Sequence, residues 1–425
     1  MPLFAALRRS EYLRQVSTLL SGSFLAQLTT LLAAPLLTRS YSPQAFGTLA
    51  LLVAIVAALA PGVAGRYETA VVVSAKEEER CVFFHIALWI TTGVCSAFAL
   101  ALLVGFDSLS SWMNAEALGG WLWTAPLLLW FTGAIAVMQS WANAEKNYAV
   151  IGRSMILQTV TVSVLAIGFS LYAADAGSLI LANLIGPIVA FAYLAVLLKE
   201  LFLQGRWRWD ENKSRRALAN LDLPLYSATS SILNGFMTAL PVFFLAKYFS
   251  DSIVGYYALL VRVGAAPLSF LSQAVSRVNF QRTSEIIHSG GDPTRYVVRS
   301  TLVLAAIALT VAAPLMMFAS RLFELVFGSA WGAAGELLTI IMPALAVQFV
   351  VSTLSMSFVA VGHVRLAAAW QLLSLIVTVS VFSVFGRAGD VEDFFWAFMM
   401  KDVSLYLIYY AALIYAIRNR RLCIS

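Results

Sequence analysis

Apolar residues in this chain run in long unbroken stretches separated by short polar connections, and do not alternate. The stretches cover residues 16–36, 44–65, 82–105, 121–141, 154–173, 178–198, 223–246, 254–279, 298–318, 331–358, 366–386 and 394–416. Crossing about 30 Å of hydrocarbon at 1.5 Å per residue takes roughly 20 residues, so each stretch can span a bilayer. In lipid the backbone polar groups must be satisfied within the segment itself, which makes such runs helices; barrel strands would be about ten residues with alternating polarity. The pattern predicts an all-α polytopic membrane protein of about twelve transmembrane helices.

Composition agrees. The 425 residues are 60% hydrophobic and 12% charged, with a mean hydropathy of +0.83, against roughly 25% charged residues in a soluble domain. Most of the 28 Lys and Arg fall on connections that share one side if the N-terminus is inside, among them Arg80, Lys146, Arg153, Arg215, Arg282 and Arg295. By the positive-inside rule both termini are expected in the cytoplasm. The net charge of +6 is that inside bias, and no nucleic-acid partner is expected. Residues 16–36 are long enough to span, and no small-residue cleavage site follows a short apolar core, so they are expected to be an uncleaved first helix. Cys81, Cys95 and Cys423 sit on the inner side or in a span, and no disulfide framework is expected.

The longest charged connection, 199–222, predicts a division into an N-terminal six-helix lobe (1–198), a cytoplasmic linker (199–222) and a C-terminal six-helix lobe (223–425). An internal repeat supports it. Residues 39–52 align without gaps with 247–260, an offset of 247 − 39 = 208. In both copies a basic residue (Arg39, Lys247) follows the apolar run, a serine (Ser42, Ser250) stands where it can N-cap the next helix, and a glycine (Gly47, Gly255) lies five residues on. Pro43 suits the first helical position. Lobes with both termini inside share one orientation, and a site between them is the default expectation for a transporter.

Ionisable groups inside a bilayer are costly and face the protein interior or an aqueous path. Arg66 and Glu68 follow Pro61-Gly62 near the cytoplasmic end of the second span; Arg66 either snorkels to inner headgroups or offers a cation to an anionic ligand at a helix break. Arg262, about 12 Å deep in the eighth span at helical rise, is either a substrate-binding cation or one half of an ion pair with Asp402 or Asp222. Arg277 lies nearer the cytoplasm, as a headgroup anchor or a ligand contact. Lys401 and Asp402 are adjacent on the last span and point to different faces, so each needs its own partner, with structural pairing and ion coupling both open. Asp222, before Pro224, suits a helix N-terminus. Enzymatic signals are sparse: His85, His288 and His363 fit no metal-ligand spacing, and no phosphate-binding glycine loop occurs. No catalytic residue, metal or cofactor is expected.

Thr38-Arg39-Ser40-Tyr41-Ser42-Pro43-Gln44-Ala45-Phe46-Gly47, then Arg66-Tyr67-Glu68-Thr69-Ala70 and a charged loop, resembles the N-terminal signature of bacterial polysaccharide transport proteins. Trp141-Ala142-Asn143-Ala144-Glu145-Lys146-Asn147-Tyr148 is similar to the family's connection between spans four and five. These are the Wzx-like O-antigen and exopolysaccharide flippases of the multidrug/oligosaccharidyl-lipid/polysaccharide (MOP) superfamily. The second copy has Asp251 in place of Pro43, so the motif is asymmetric. The resemblance implies the MATE-like fold of that superfamily and a flippase in the bacterial inner membrane. Its substrate would be an oligosaccharide on undecaprenyl pyrophosphate, moved by alternating access. Energy would come from an H+ or Na+ gradient or from consumption of the product. Membrane lipids, a polysaccharide polymerase and chain-length proteins are the further partners implied. A drug/cation antiporter of the same superfamily and a membrane enzyme of polysaccharide assembly are the competing readings; the first needs buried acids, whereas most deep charges here are basic.

Overall fold

The computed structural model describes residues 11–203, 209–355 and 364–418, and every regular element among them is helical. Eleven helical segments among the described residues are long and apolar enough to cross a membrane. The protein is thus an all-α, multi-pass membrane protein, and eleven of the twelve expected spans correspond to these segments.

Contacts between Cα atoms divide the chain into two compact units, Met1–Ala246 and Lys247–Ser425. The first contains α1 (Glu11–Ser40), α2 (Pro43–Leu59), α3 (Tyr67–Val73), α4 (Glu77–Trp112), α5 (Thr124–Ala144), α6 (Tyr148–Ser170), α7 (Ala176–Leu197), the short α8 (Lys199–Leu203), α9 (Glu211–Ala219) and nearly all of α10 (Thr229–Tyr248). Small residues set the helix spacing, as expected where lipid gives no hydrophobic drive for helices to associate. A Cβ on Gly22 of α1 would lie 2.5 Å from the Gly152 Cα of α6, and one on Gly235 of α10 would lie 2.6 Å from the Ala58 carbonyl oxygen of α2. The core of this unit gathers Tyr67, Phe84, Met138, Trp141 and Leu194.

Residues 199–203 and 209–222 pack on this first unit. Leu201 joins its core, the Phe202 and Phe84 rings meet edge-on at 5.9 Å, and Arg216 pairs with Glu79 at 3.3 Å. The Asp210 side chain caps α9 by accepting from the Lys213 backbone N–H at 2.8 Å. That bond, more than any other factor, holds the Asp210 carboxyl below the usual carboxylate range.

The second unit contains α11 (Asp251–Leu260), α12 (Ala266–His288), α13 (Thr294–Phe327), α14 (Gly332–Leu354), α15 (Val364–Ala388) and α16 (Val391–Arg418). Its helices pack around α14, which meets α11, α12, α13 and α16. Phe349, Leu354, Tyr409 and Leu413 form the core there.

The repeat has a structural counterpart. The first copy runs from helix end at Ser40 to helix start at Pro43, and the second from Tyr248 to Asp251, the same offset of 208. Ser42 caps α2 by accepting from the Ala45 N–H at 3.3 Å. Ser250 takes the same backbone shape at the start of α11 but makes no capping bond, so the expected second cap does not form.

The eighth expected span, 254–279, differs from a plain helix. It is broken into α11 and α12 by a π-helical turn, Val261–Ala265, and neither piece is among the eleven crossing segments. Pro267 stands in the first turn of α12, where its missing N–H leaves a carbonyl of the upstream turn without its helical donor. The second span ends differently: α2 tightens into a 3-10 turn, Ala60–Gly62, that contains Pro61.

Candidate functional site

The break after α2 positions the first candidate residues. Pro61 ends the helix, four turn residues follow, and the chain re-enters a helix at Tyr67 through two left-handed residues, Gly65 (φ 62°) and Arg66 (φ 63°, ψ 10°). The left-handed region costs a residue with a Cβ roughly 1–2 kcal/mol, so the surroundings must hold Arg66 there. The Thr69 hydroxyl donates to the Arg66 carbonyl at 2.6 Å. Tyr67 is buried, stacks on Phe83 with ring centroids 6.3 Å apart, and donates its hydroxyl to the Ala217 carbonyl at 2.8 Å.

Arg66 and Glu68 meet in an ion pair, Nη1 to Oε1 at 3.4 Å. The pair is incomplete: Arg66 Nε and Glu68 Oε2 are both buried without a hydrogen-bond partner. Glu68 lies just beyond the second crossing segment. Burial pushes its carboxyl above the usual carboxylate range, offset in part by its own backbone N–H and by Arg66.

Both side chains line a cavity of about 600 Å3 within the first unit. Its polar lining consists of Arg66, Glu68, Thr69, Gln139, Ser140 and Asn143, and the remainder is small and aliphatic, from Ala60 and Pro61 to Gly133, Ala136 and Ile151. Sequence reasoning missed Gln139, Ser140 and Asn143 as wall residues. The available signal was a run of polar residues, Gln139-Ser140 and Asn143, at the end of an otherwise apolar span. Beside the cavity-lining Asn143, Trp141 lies 6.0 Å under the Arg80 guanidinium, and Arg80 pairs with Glu145.

The remaining candidates are dispersed. Arg262 sits half-buried on the π turn. Arg277 is on α12, and its side chain is outside the described residues. Asp222 is exposed at the position before the π turn Leu223–Ala228 and makes no capping bond. Its backbone is already helical (φ −59°, ψ −30°), whereas a capping side chain needs an extended residue; the expected cap is thereby corrected. Lys401 and Asp402 do not take separate partners. Lys401 Nζ lies 2.6 Å from Asp402 Oδ1, because its four-carbon stem is long enough to curl back to a neighbour. Lys401 also donates to the Thr378 hydroxyl at 3.2 Å and lies 4.9 and 4.8 Å from the ring centroids of Phe382 and Phe398. Cys81 and Cys95 are free thiols.

Residues 36–336 match the family model described as "Polysaccharide biosynthesis protein". The succinoglycan biosynthesis transport protein ExoT of Rhizobium meliloti (strain 1021) is 22% identical over 393 residues, which are 91% of this chain and 76% of that protein. Among solved structures, the lipid II flippase MurJ in an inward closed conformation superposes with a TM-score of 0.76 at 12% identity, covering 94% of this chain and 89% of that one. An inward-facing multidrug resistance MATE transporter of the MOP superfamily gives 0.75 at 16% identity, covering 94% and 96%. This chain belongs to the polysaccharide biosynthesis protein family and is built on the MOP-superfamily fold.

Proposed function

We propose that the protein is a flippase. Its cargo is an oligosaccharide linked to polyprenyl pyrophosphate, carried from the inner to the outer leaflet of the bacterial inner membrane for O-antigen, capsule or exopolysaccharide synthesis. Both termini are cytoplasmic in this reading. The observation that carries it is Arg66, held by a helix break on the wall of a cavity of about 600 Å3 with one buried N–H still to be satisfied. A guanidinium matches the oxygens of a phosphate in a planar, bidentate geometry. Gln139, Ser140 and Asn143 add neutral hydrogen-bonding groups suited to sugar hydroxyls, while the prenyl tail stays in lipid. Arg262 and Arg277 are proposed as further cations for an anionic headgroup in the second unit. Movement follows alternating access with no covalent step, driven by an ion gradient or by consumption of the flipped product. The transport role of the Rhizobium relative and the lipid II cargo of MurJ support this reading.

Among the described residues, Glu68 favours a cation antiporter, since a buried carboxylate oxygen without a partner suits an organic cation. Deletion of the gene followed by lipid extraction separates the two. Accumulation of a lipid-linked oligosaccharide, relieved by the wild-type gene and not by Arg66→Ala or Arg262→Ala proteins present at normal levels in the membrane, is the expected result. No accumulation, together with a gain in sensitivity to cationic drugs, would overturn the flippase.

A further inference from the structure

The second unit holds a line of polar side chains that the headgroup site does not use. It starts at the Lys401–Asp402 pair, where Lys401 is buried and Asp402 keeps 23% of its side chain exposed. One turn along α16 from Asp402 stands Tyr406, which shares a hydrogen bond with Gln348 of α14. One turn along α14, Ser352 shares a 2.8 Å hydrogen bond with Ser272 of α12, as does the neighbouring Thr353. From Ser272 the same face of α12 continues through Ser276, Asn279 and Thr283, all buried.

Two members of this line are incompletely satisfied. Asn279 accepts a 2.8 Å hydrogen bond from the Tyr296 hydroxyl, but its Nδ2 has no partner, and neither has the Thr283 hydroxyl. Their exposures are 4% and 1%. Side chains whose only task was to tie helices together would end in mutual hydrogen bonds, as Ser272, Ser352 and Thr353 do. Buried polar atoms left over in this way are where proteins hold internal water, which makes about three hydrogen bonds to such groups. Residues three or four apart on a helix stand about 5–6 Å apart at Cβ, a gap that one bridging water closes.

We propose that this line is a hydrated proton path joining Asp402 to the end of α12 at His288, and that Asp402 is the group that takes up and releases the proton. One proton adds to the carboxylate to give the acid. Lys401, held by the Thr378 oxygen and two aromatic faces, takes no part in the transfer, so the charge of the pair rises by one. The groups around Asp402 are Lys401 and Tyr406 on its own helix and, from α11, Tyr257, whose ring meets Phe395 and Phe398 of α16; Arg262 follows on the π turn that continues α11. At the far end stand His288 and the Arg282–Glu285 pair. This proposal goes beyond the headgroup reading and does not depend on it.

Infrared difference spectra of the full-length protein in lipid, recorded across a step to acid pH, test it without any cargo. In a Glu68→Gln background, used throughout to remove the other raised carboxyl, the protonated-carboxyl band of a buried acid is expected when Asp402 is intact. It should be absent from Asp402→Asn and from the double variant Lys401→Gln/Asp402→Asn, in which no unpaired ammonium is left to disturb folding. Asn279→Leu/Thr283→Val should keep the band but slow its appearance at least tenfold. Persistence of the band without Asp402, or wild-type kinetics in the path variant, would overturn the proposal and leave the lipid-accumulation result untouched.

Discussion

Arg66 combines a costly backbone conformation with an unfinished set of hydrogen bonds, which is how a residue held for function and not for stability behaves. Arg66→Gly separates the two. Glycine removes the left-handed penalty, so thermal stability should hold or rise by up to about 1–2 kcal/mol, while surface polysaccharide is lost; a melt and a polysaccharide assay on the same strain check this. Glu68 adds a pH dependence to the same site. Its raised carboxyl takes up a proton sooner than an ordinary glutamate as pH falls, and each uptake frees Arg66 from its internal counter-ion. Anion binding at Arg66 should therefore strengthen toward acid pH, and in Glu68→Gln that slope should flatten. At this scale the sequence is readable wherever the rule is local. Ser42 caps α2 as its position predicts. Asp222 and Ser250 fail as caps because a cap depends on backbone angles and side-chain reach as well as residue type. The Lys401–Asp402 contact was hidden because helical geometry separates neighbouring side chains, and only lysine's flexible stem closes the gap.

Long helices were legible from their apolar runs, and even the kink in α4 falls at Gly105, where the third run ends. The breaks were legible in part. The break at Pro61-Gly62 was offered by its glycine and the charged residues that follow, and it forms; Pro267 was one of many prolines near spans, and its sequence did not set it apart from Pro187, which is tolerated inside α7. The short α9 was also invisible as a packed element, since its charged sequence suits a solvated loop. In the structure it lies against α3 through the Tyr67–Ala217 hydrogen bond, so it supports the segment that carries Arg66. Tyr67→Phe removes that bond at a cost of about 1 kcal/mol. Limited proteolysis should then cut faster within 199–222, whereas Arg216→Ala, which removes only a partly exposed ion pair with Glu79, should change the cleavage rate little.

For the molecule as a whole, the repeat at an offset of 208 was the most informative sequence feature, because it marks the same helix–turn–helix join in both units. The charge distribution makes a separate claim about orientation. Reporter fusions at Glu211 and at Asp251 should report cytoplasm and periplasm respectively, and the reverse pattern would invert the proposed topology. The polar wall at Gln139, Ser140 and Asn143 could not be derived in the same way, because a cavity depends on which faces of several helices converge. The close approach of Gly22 to Gly152 bears on how the protein is made. Helix α1 leaves the ribosome well before α6, its neighbour along that face, because three further crossing segments lie between them. Its crossing segment is also the least hydrophobic of the eleven. The helix must therefore wait in the bilayer with its small-residue face unmatched, so correct assembly of the first unit depends on events late in its own translation.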